Sequence, residues 1–152
     1  MILRPSKKLL FAIEAVLDIA YHAGGEPVQS REITRRQEIP GRYLEQTLQQ
    51  LVRSGILVGV RGPRGGYRLA RERRRITLGD IVRVVQSMER AEEPIEDLPG
   101  SELGRDLVRP LWQELTQEFM DRLDSITVDD LSMQAYRRGF ESEAHGKLDF
   151  TI

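Results

Sequence analysis

The stretch that decides the fold runs from Gly41 to Leu69, GRYLEQTLQQLVRSGILVGVRGPRGGYRL. Its first part has helical spacing: Leu44, Leu48, Leu51 and Val52 fall on one face, and Gly55 suits the position just past a helix C-terminus. The outward positions carry Arg42, Tyr43, Glu45, Gln46, Gln49 and Arg53. The period then changes. Ile56–Val60 reads as a strand, Arg61-Gly62-Pro63-Arg64-Gly65-Gly66 as a turn, and Tyr67-Arg68-Leu69 as the returning strand.

Upstream, KKLLFAIEAVLDIAYHA (residues 7–23) predicts a first helix with a broad apolar stripe, closed by Gly24-Gly25. Ser30 is the expected N-cap of a short second helix around Glu32, Ile33 and Arg36, and Ile39-Pro40-Gly41 is a turn. Two helices in a turn arrangement followed by a β-hairpin give the order of a winged helix-turn-helix. Downstream, Thr77-x-x-Asp80 predicts a capping box for a helix lined by Ile81, Val84, Val85 and Met88. Residues 91–101, AEEPIEDLPGS, form an acidic loop. Residues 103–126 place Leu107, Leu111, Leu115, Phe119 and Leu123 at steps of four, with Trp112 beside them. That predicts a long helix with a wide apolar face, in which Pro110 sits in the first turn or makes a kink. Thr127-x-x-Asp130 caps a last helix near 128–138. The fold class is therefore mainly α with a small β-hairpin wing. The division is a DNA-binding winged helix over 1–90, the acidic loop over 91–101, dimerisation helices over 102–138 and a flexible tail over 139–152.

Composition limits the chemistry. The 152 residues include no cysteine and two histidines, His22 and His145. Disulfides, a thiol nucleophile and thiolate-held metal centres are excluded, a Ser-His-Asp triad is poorly supported, and no cofactor or metal is expected. No apolar run approaches the roughly 20 residues of a membrane span. Arg4, Lys7, Lys8, Glu14 and Asp18 interrupt any signal-peptide pattern, so a cytoplasmic protein is expected. The net charge of −1 conceals an asymmetry: residues 1–90 hold 17 Lys and Arg against 9 Asp and Glu, whereas residues 91–152 hold 6 against 15. A basic front suits a polyanion.

The front half supplies the groups that DNA needs. Arg can be bidentate to guanine, Gln to adenine, and Glu can accept from cytosine. Arg42, Tyr43, Glu45, Gln46 and Gln49 provide that set, although a polar outer face is also what any solvated helix shows. Arg61 and Arg64 flank Gly62-Pro63 in a tight loop suited to phosphates or a narrow minor groove. No Gly-Lys-Ser/Thr ending or following helix makes this a nucleotide loop. Lys8, Pro40 and Gly65 complete the candidate DNA contacts.

Together these segments resemble the IscR–NsrR–CymR family of bacterial winged-helix regulators, also written Rrf2. The marks are Tyr43-Leu44-Glu45-Gln46, Arg61-Gly62-Pro63-x-Gly65-Gly66-Tyr67-Arg68-Leu69 and Ile76-Thr77-x-Gly79-Asp80-Ile81, with Leu111-Trp112, Ile126-Thr127 and Asp130-Leu131 further on. The resemblance covers about residues 1–132. It implies a homodimer on a palindromic operator, with Leu107, Leu111, Trp112, Leu115, Phe119 and Leu123 in the dimer arm. Many members hold an iron–sulfur cluster on three cysteines before the Leu-Trp motif. This sequence has AEEPIEDLPGSELGRDLVRPLW there, so it resembles the cluster-free branch. The last residues, Asp149-Phe150-Thr151-Ile152, resemble the acidic–aromatic–small–Ile tails with which serine acetyltransferases enter cysteine synthase. The expected function is a repressor tied to cysteine metabolism through that enzyme, and not an enzyme itself. Two alternatives stand beside it: the same regulator sensing a small effector in the dimer region, and a tail-borne inhibitor of cysteine synthase with no DNA role.

Overall fold

The computed structural model describes residues 4–89 and 99–143. Helix α1 (Lys7–His22) begins at Ser6, whose Oγ accepts from the Leu9 N–H at 3.1 Å. Ala12, Ala15, Val16 and Ile19 are fully buried along it, the i, i+3, i+4, i+7 stripe of an amphipathic helix. Helix α2 (Ser30–Gln37) starts one residue differently from the sequence expectation: Gln29, not Ser30, is the N-cap. The reason is the spacing of the reciprocal partner. Glu32 lies three residues after Gln29 and accepts its backbone N–H at 2.9 Å, whereas three residues after Ser30 stands Ile33, which can accept nothing and is buried.

Glu38, in the left-handed region at φ 54°, turns the chain into α3 (Gly41–Arg53). Leu44, Leu48 and Leu51 are buried as the spacing predicts, and Thr47 joins them by donating its hydroxyl to the Tyr43 carbonyl at 2.8 Å. The helix ends in a Schellman arrangement. Ile56 N–H reaches the Leu51 carbonyl, Gly55 N–H reaches that of Val52, and Gly55 takes φ 78°.

Strands β1 (Leu57–Val60) and β2 (Gly66–Leu69) pair antiparallel, Leu57 opposite Leu69 and Val60 opposite Gly66. A 3₁₀ turn (Arg73–Arg75) leads to α4 (Leu78–Met88). A π-helical turn (Gly104–Val108) runs directly into α5 (Arg109–Asp124), so Pro110 lies at the junction. Proline has no N–H to give and crowds the carbonyl four residues back; the wider π turn ahead of it relieves that crowding. Helix α6 is Val128–Arg137.

Two matching capping boxes sit side by side. Thr77 and Asp80 exchange backbone and side-chain hydrogen bonds at 3.0 Å, and Thr127 and Asp130 do the same at 3.0 and 2.9 Å. A bridge between Thr77 and Thr127 joins them, with Leu78 N–H on the Ile126 carbonyl and Val128 N–H on that of Ile76. Beside them, a Cβ on Gly79 would stand 1.7 Å from Asp124 Oδ1 and displace the carboxylate that Arg83 holds with two hydrogen bonds of 2.8 and 2.6 Å. Ala12, Ile33, Leu48, Ile56, Ile76, Ile81 and Val128 share one hydrophobic core, which therefore draws on every helix but α5.

Candidate nucleic-acid interface

Helices α2 and α3 and the hairpin tip meet on one side of the molecule. Arg42, Tyr43, Glu45, Gln46 and Gln49 all lie exposed on α3, opposite its leucines, and Pro40 is exposed at its start. Arg61, Gly62, Pro63 and Arg64 are exposed at the wing tip, while Gly65 is buried. Lys8 is half-buried on α1, one turn before Phe11, whose ring packs 6.4 Å from that of Tyr43. It thus shares a face of α1 with the start of α3.

The wing is fastened to the helix-turn-helix. Val28 and Tyr67 exchange two backbone hydrogen bonds of 2.8 Å, which makes Val28 a third, one-residue strand beside β2. Gln29 Nε2 adds a bond to the Pro63 carbonyl at 3.3 Å. The paired glycines are needed for this. A Cβ on Gly65 would stand 2.2 Å from the Val60 carbonyl oxygen, and one on Gly66, at φ 154°, would stand 2.4 Å from that of Val28. The brace ties the wing to the segment that opens α2.

Sequence reasoning missed part of this surface. A cleft of about 600 Å³ lies between the wing and the start of α2 and is lined by Ser30, Arg31, Arg61, Gly62 and Tyr67. Ser30 and Arg31, as the first two helical residues, have backbone N–H groups with no partner inside the helix. Such a helix start attracts a phosphate. Reading Ser30 as a cap hid this: a cap turns its side chain back to its own helix, whereas the first helical residue faces outward. Among the described residues Arg31, Arg42, Arg61 and Arg64 make no ion pair, so their charge is available to a ligand.

The expected dimer residues occupy a separate surface. Helix α5 buries none of its residues. Leu107, Leu111, Trp112, Leu115 and Phe119 are between 45 and 63% exposed, a continuous apolar face, while Leu123 is half-buried against α1 and α4. The tail residues Asp149, Phe150, Thr151 and Ile152 lie outside the described residues. Among the described residues, no helix is long and apolar enough to cross a membrane.

An exposed polar helix beside an arginine-tipped, glycine-braced wing defines a winged-helix DNA-binding regulator. The profile of the Rrf2 family, described as iron-dependent transcriptional regulators, matches residues 5–134, and the chain belongs to that family. It is 35% identical over 137 residues to the HTH-type transcriptional regulator IscR of Vibrio cholerae, covering 86% of this chain and 76% of that one. Among solved structures it is similar to T. potens IscR, with TM-score 0.73 and 31% identity over 91% of this chain and 92% of the other. It is also similar to CymR, the global cysteine regulator of B. subtilis, with TM-score 0.71 and 30% identity over 86 and 97%. The expected mainly helical winged fold and the regulatory, non-enzymatic class both hold.

The family description names iron, and the donor set of this chain does not fit a thiolate-held cluster. The chain has no cysteine, and no three His, Asp or Glu side chains converge on a metal position among the described residues.

Proposed function

We propose that the protein is a homodimeric, cluster-free repressor that binds a palindromic operator in the bacterial cytoplasm. The observation that carries this is the exposed polar face of α3, with Arg42, Glu45, Gln46 and Gln49, together with the exposed Arg61 and Arg64 on a wing braced to the start of α2. Helix α3 supplies base contacts, and the wing arginines with the start of α2 supply phosphate contacts. The open apolar face of α5 supports the dimer: a patch of this kind on a small protein is covered most economically by its symmetry mate. Two copies then present two α3 helices to two half-sites. The test is enrichment of duplexes from a random pool, followed by titration of the winning site. A palindromic consensus bound at two subunits per site is expected. Enrichment of no sequence, or of a non-repeating one bound by one subunit, overturns the proposal.

A narrower reading connects the regulator to cysteine metabolism through cysteine synthase. It is supported by the likeness to CymR and by the sequence Asp149-Phe150-Thr151-Ile152, which resembles the acidic–aromatic–small–Ile tails of serine acetyltransferases. Calorimetry with purified cysteine synthase tests it. Binding by the full chain that is lost on removing Ile152 is expected; equal binding by both, or none, discards it. The idea of a tail-borne inhibitor with no DNA role loses its ground, because the family consists of transcriptional regulators.

A further inference from the structure

Between the second half of α1, the end of α2 and α6 lies a cavity of about 300 Å³, the size of a small-metabolite site. Leu17, Leu131, Ala135 and Phe140 give it an apolar wall. Its floor is Asp18, fully buried, whose charge is already answered: Arg36 donates to it at 2.9 and 2.8 Å and Gln37 at 2.8 Å. Its rim is different. Glu14, Glu141 and Arg138 are exposed there, and among the described residues none of the three makes an ion pair.

A floor with balanced charge selects no ion. A rim with unmatched charges of both signs selects a ligand that carries both. We propose that this cavity binds a small zwitterion, an amino acid with an aliphatic or thioether side chain. Its ammonium group faces Glu14 and Glu141, its carboxylate faces Arg138, and its side chain lies on the wall formed by Leu17, Ala135 and Phe140.

The site is wired to α2. The lip of the cavity continues into Ser142 and Glu143. The Tyr21 hydroxyl donates to the Phe140 carbonyl, and the Ser142 hydroxyl donates to that of Tyr21. Glu143 N–H donates to His22 Nδ1 at 3.2 Å, and the Glu143 carboxylate meets Arg35 at 3.1 Å and Arg36 at 3.0 Å. A ligand that draws Glu141 or Gln37 inward therefore shifts α2 against α1, and α2 positions α3. Ligand and DNA then influence each other equally. This effector role rests on the DNA-binding reading; occupancy of the cavity does not.

The test is proton–nitrogen NMR of the full chain titrated with L-alanine, L-valine, L-leucine and L-methionine. The reporters are the side-chain amides of Gln37 and Gln134. Isopentylamine, which lacks the carboxylate of leucine, and N-acetyl-L-leucine, which lacks its ammonium, are the controls. At least one amino acid is expected to shift both amides saturably, with either control at least about tenfold weaker, the loss that follows from one charge-assisted contact. Arg138→Gln, a substitution at an exposed position, should weaken the amino acid by a similar factor. No saturable shift with any of the four, controls that bind as well, or full binding by Arg138→Gln overturns the site. Since none of these measurements uses DNA, they stand apart from the operator titration. Saturation of the site with no change in operator affinity removes the effector role alone.

Discussion

Replacing Gly66 by alanine puts the wing brace to its sharpest test. Two costs are written into the structure at that position. The first is the backbone, because φ 154° lies where residues with a Cβ are strained, worth about 1–3 kcal/mol. The second is steric: the new Cβ falls 2.4 Å from the Val28 carbonyl oxygen, so Val28 has to move away from Tyr67. That movement breaks both 2.8 Å hydrogen bonds, each worth about 0.5–1.5 kcal/mol. Gly62→Ala is the control, since Gly62 has φ 109° but nothing within 4 Å of its Cβ position. It carries the backbone cost without the clash. The difference between the variants is therefore about 1–3 kcal/mol, a factor of about 5 to 150 in the opening equilibrium of the brace. Hydrogen exchange at the Val28 and Tyr67 amides reads that equilibrium directly. Protection at both should fall further in Gly66→Ala than in Gly62→Ala, and operator affinity should fall with it. Equal protection in the two variants would refute the claim that close approach, not turn geometry, is what Gly66 serves.

Arg61→Ala and Arg64→Ala should weaken DNA binding for all sequences and lower the salt slope by about 0.9 for each phosphate no longer neutralised. Arg42→Ala or Gln46→Ala should instead change base preference, by about 1–3 kcal/mol at the position read; a titration series over salt and over single-base operator variants separates the two behaviours. Trp112→Glu and Phe119→Glu should yield monomers in sedimentation velocity, and dimers of unchanged affinity would remove α5 from the interface. Burial, followed by the Arg36 charge, holds the His22 pKa below the ordinary 6.5. The folded state therefore binds fewer protons than the unfolded one, and His22 costs no stability above pH 6.5 but an increasing amount as pH falls below it. His22→Asn, which retains an acceptor for the Glu143 N–H, should flatten denaturation midpoints just below pH 6.5; an unaltered pH profile would show that His22 does not titrate in this window.

What was legible in the sequence, and what was not, divides by the range of the interaction. The leucines of α3, the apolar steps of α5 and the two Thr-x-x-Asp boxes are periodic or local signals, and they read correctly. The glycines of the wing were legible as a turn, yet the carbonyl that excludes a Cβ from Gly66 belongs to Val28, far back in the chain. Gly79 likewise looks like an ordinary residue of a helix start until Asp124 is placed against it. The pairing of Asp18 with Arg36 and Gln37 could not be singled out from among many charges, because only the packing of α1 on α2 brings them together. The Ser30 assignment failed for a local reason: Ser, Thr, Asp and Asn lead the N-cap preferences, but the reciprocal carboxylate at Glu32 decided in favour of Gln29. The cavity beneath Phe140 was invisible for a further reason, since it is bounded by three helices and no single segment carries its pattern.

The charge asymmetry of the sequence takes on a definite meaning once the pairs are known. Behind the wing, carboxylates meet arginines: Asp80 with Arg71 and Arg83, Asp129 with Arg73 and Arg74, and Asp124 with Arg83. Arg31, Arg42, Arg61 and Arg64 receive no such partner among the described residues. Exposed ion pairs contribute little to stability, so their consequence lies in the field: the acidic C-terminal half screens the arginines behind the wing and leaves the positive potential on the side that faces DNA. The Arg83 hydrogen bond in turn holds the Asp124 carboxyl below its ordinary range, so this carboxylate keeps its charge at moderately acid pH. An Asp124→Asn, Asp129→Asn double variant tests the argument. It leaves Arg73 and Arg74 without their partner, leaves Arg83 with Asp80 alone, and touches nothing on α3 or the wing. Its affinity for random-sequence DNA should rise and its salt slope steepen, while operator affinity rises less, so that the ratio of specific to non-specific binding falls. A variant whose non-specific affinity and salt slope match the wild type would show that the pairs do not shape the field, and that the two halves of the sequence are merely two differently solvated surfaces.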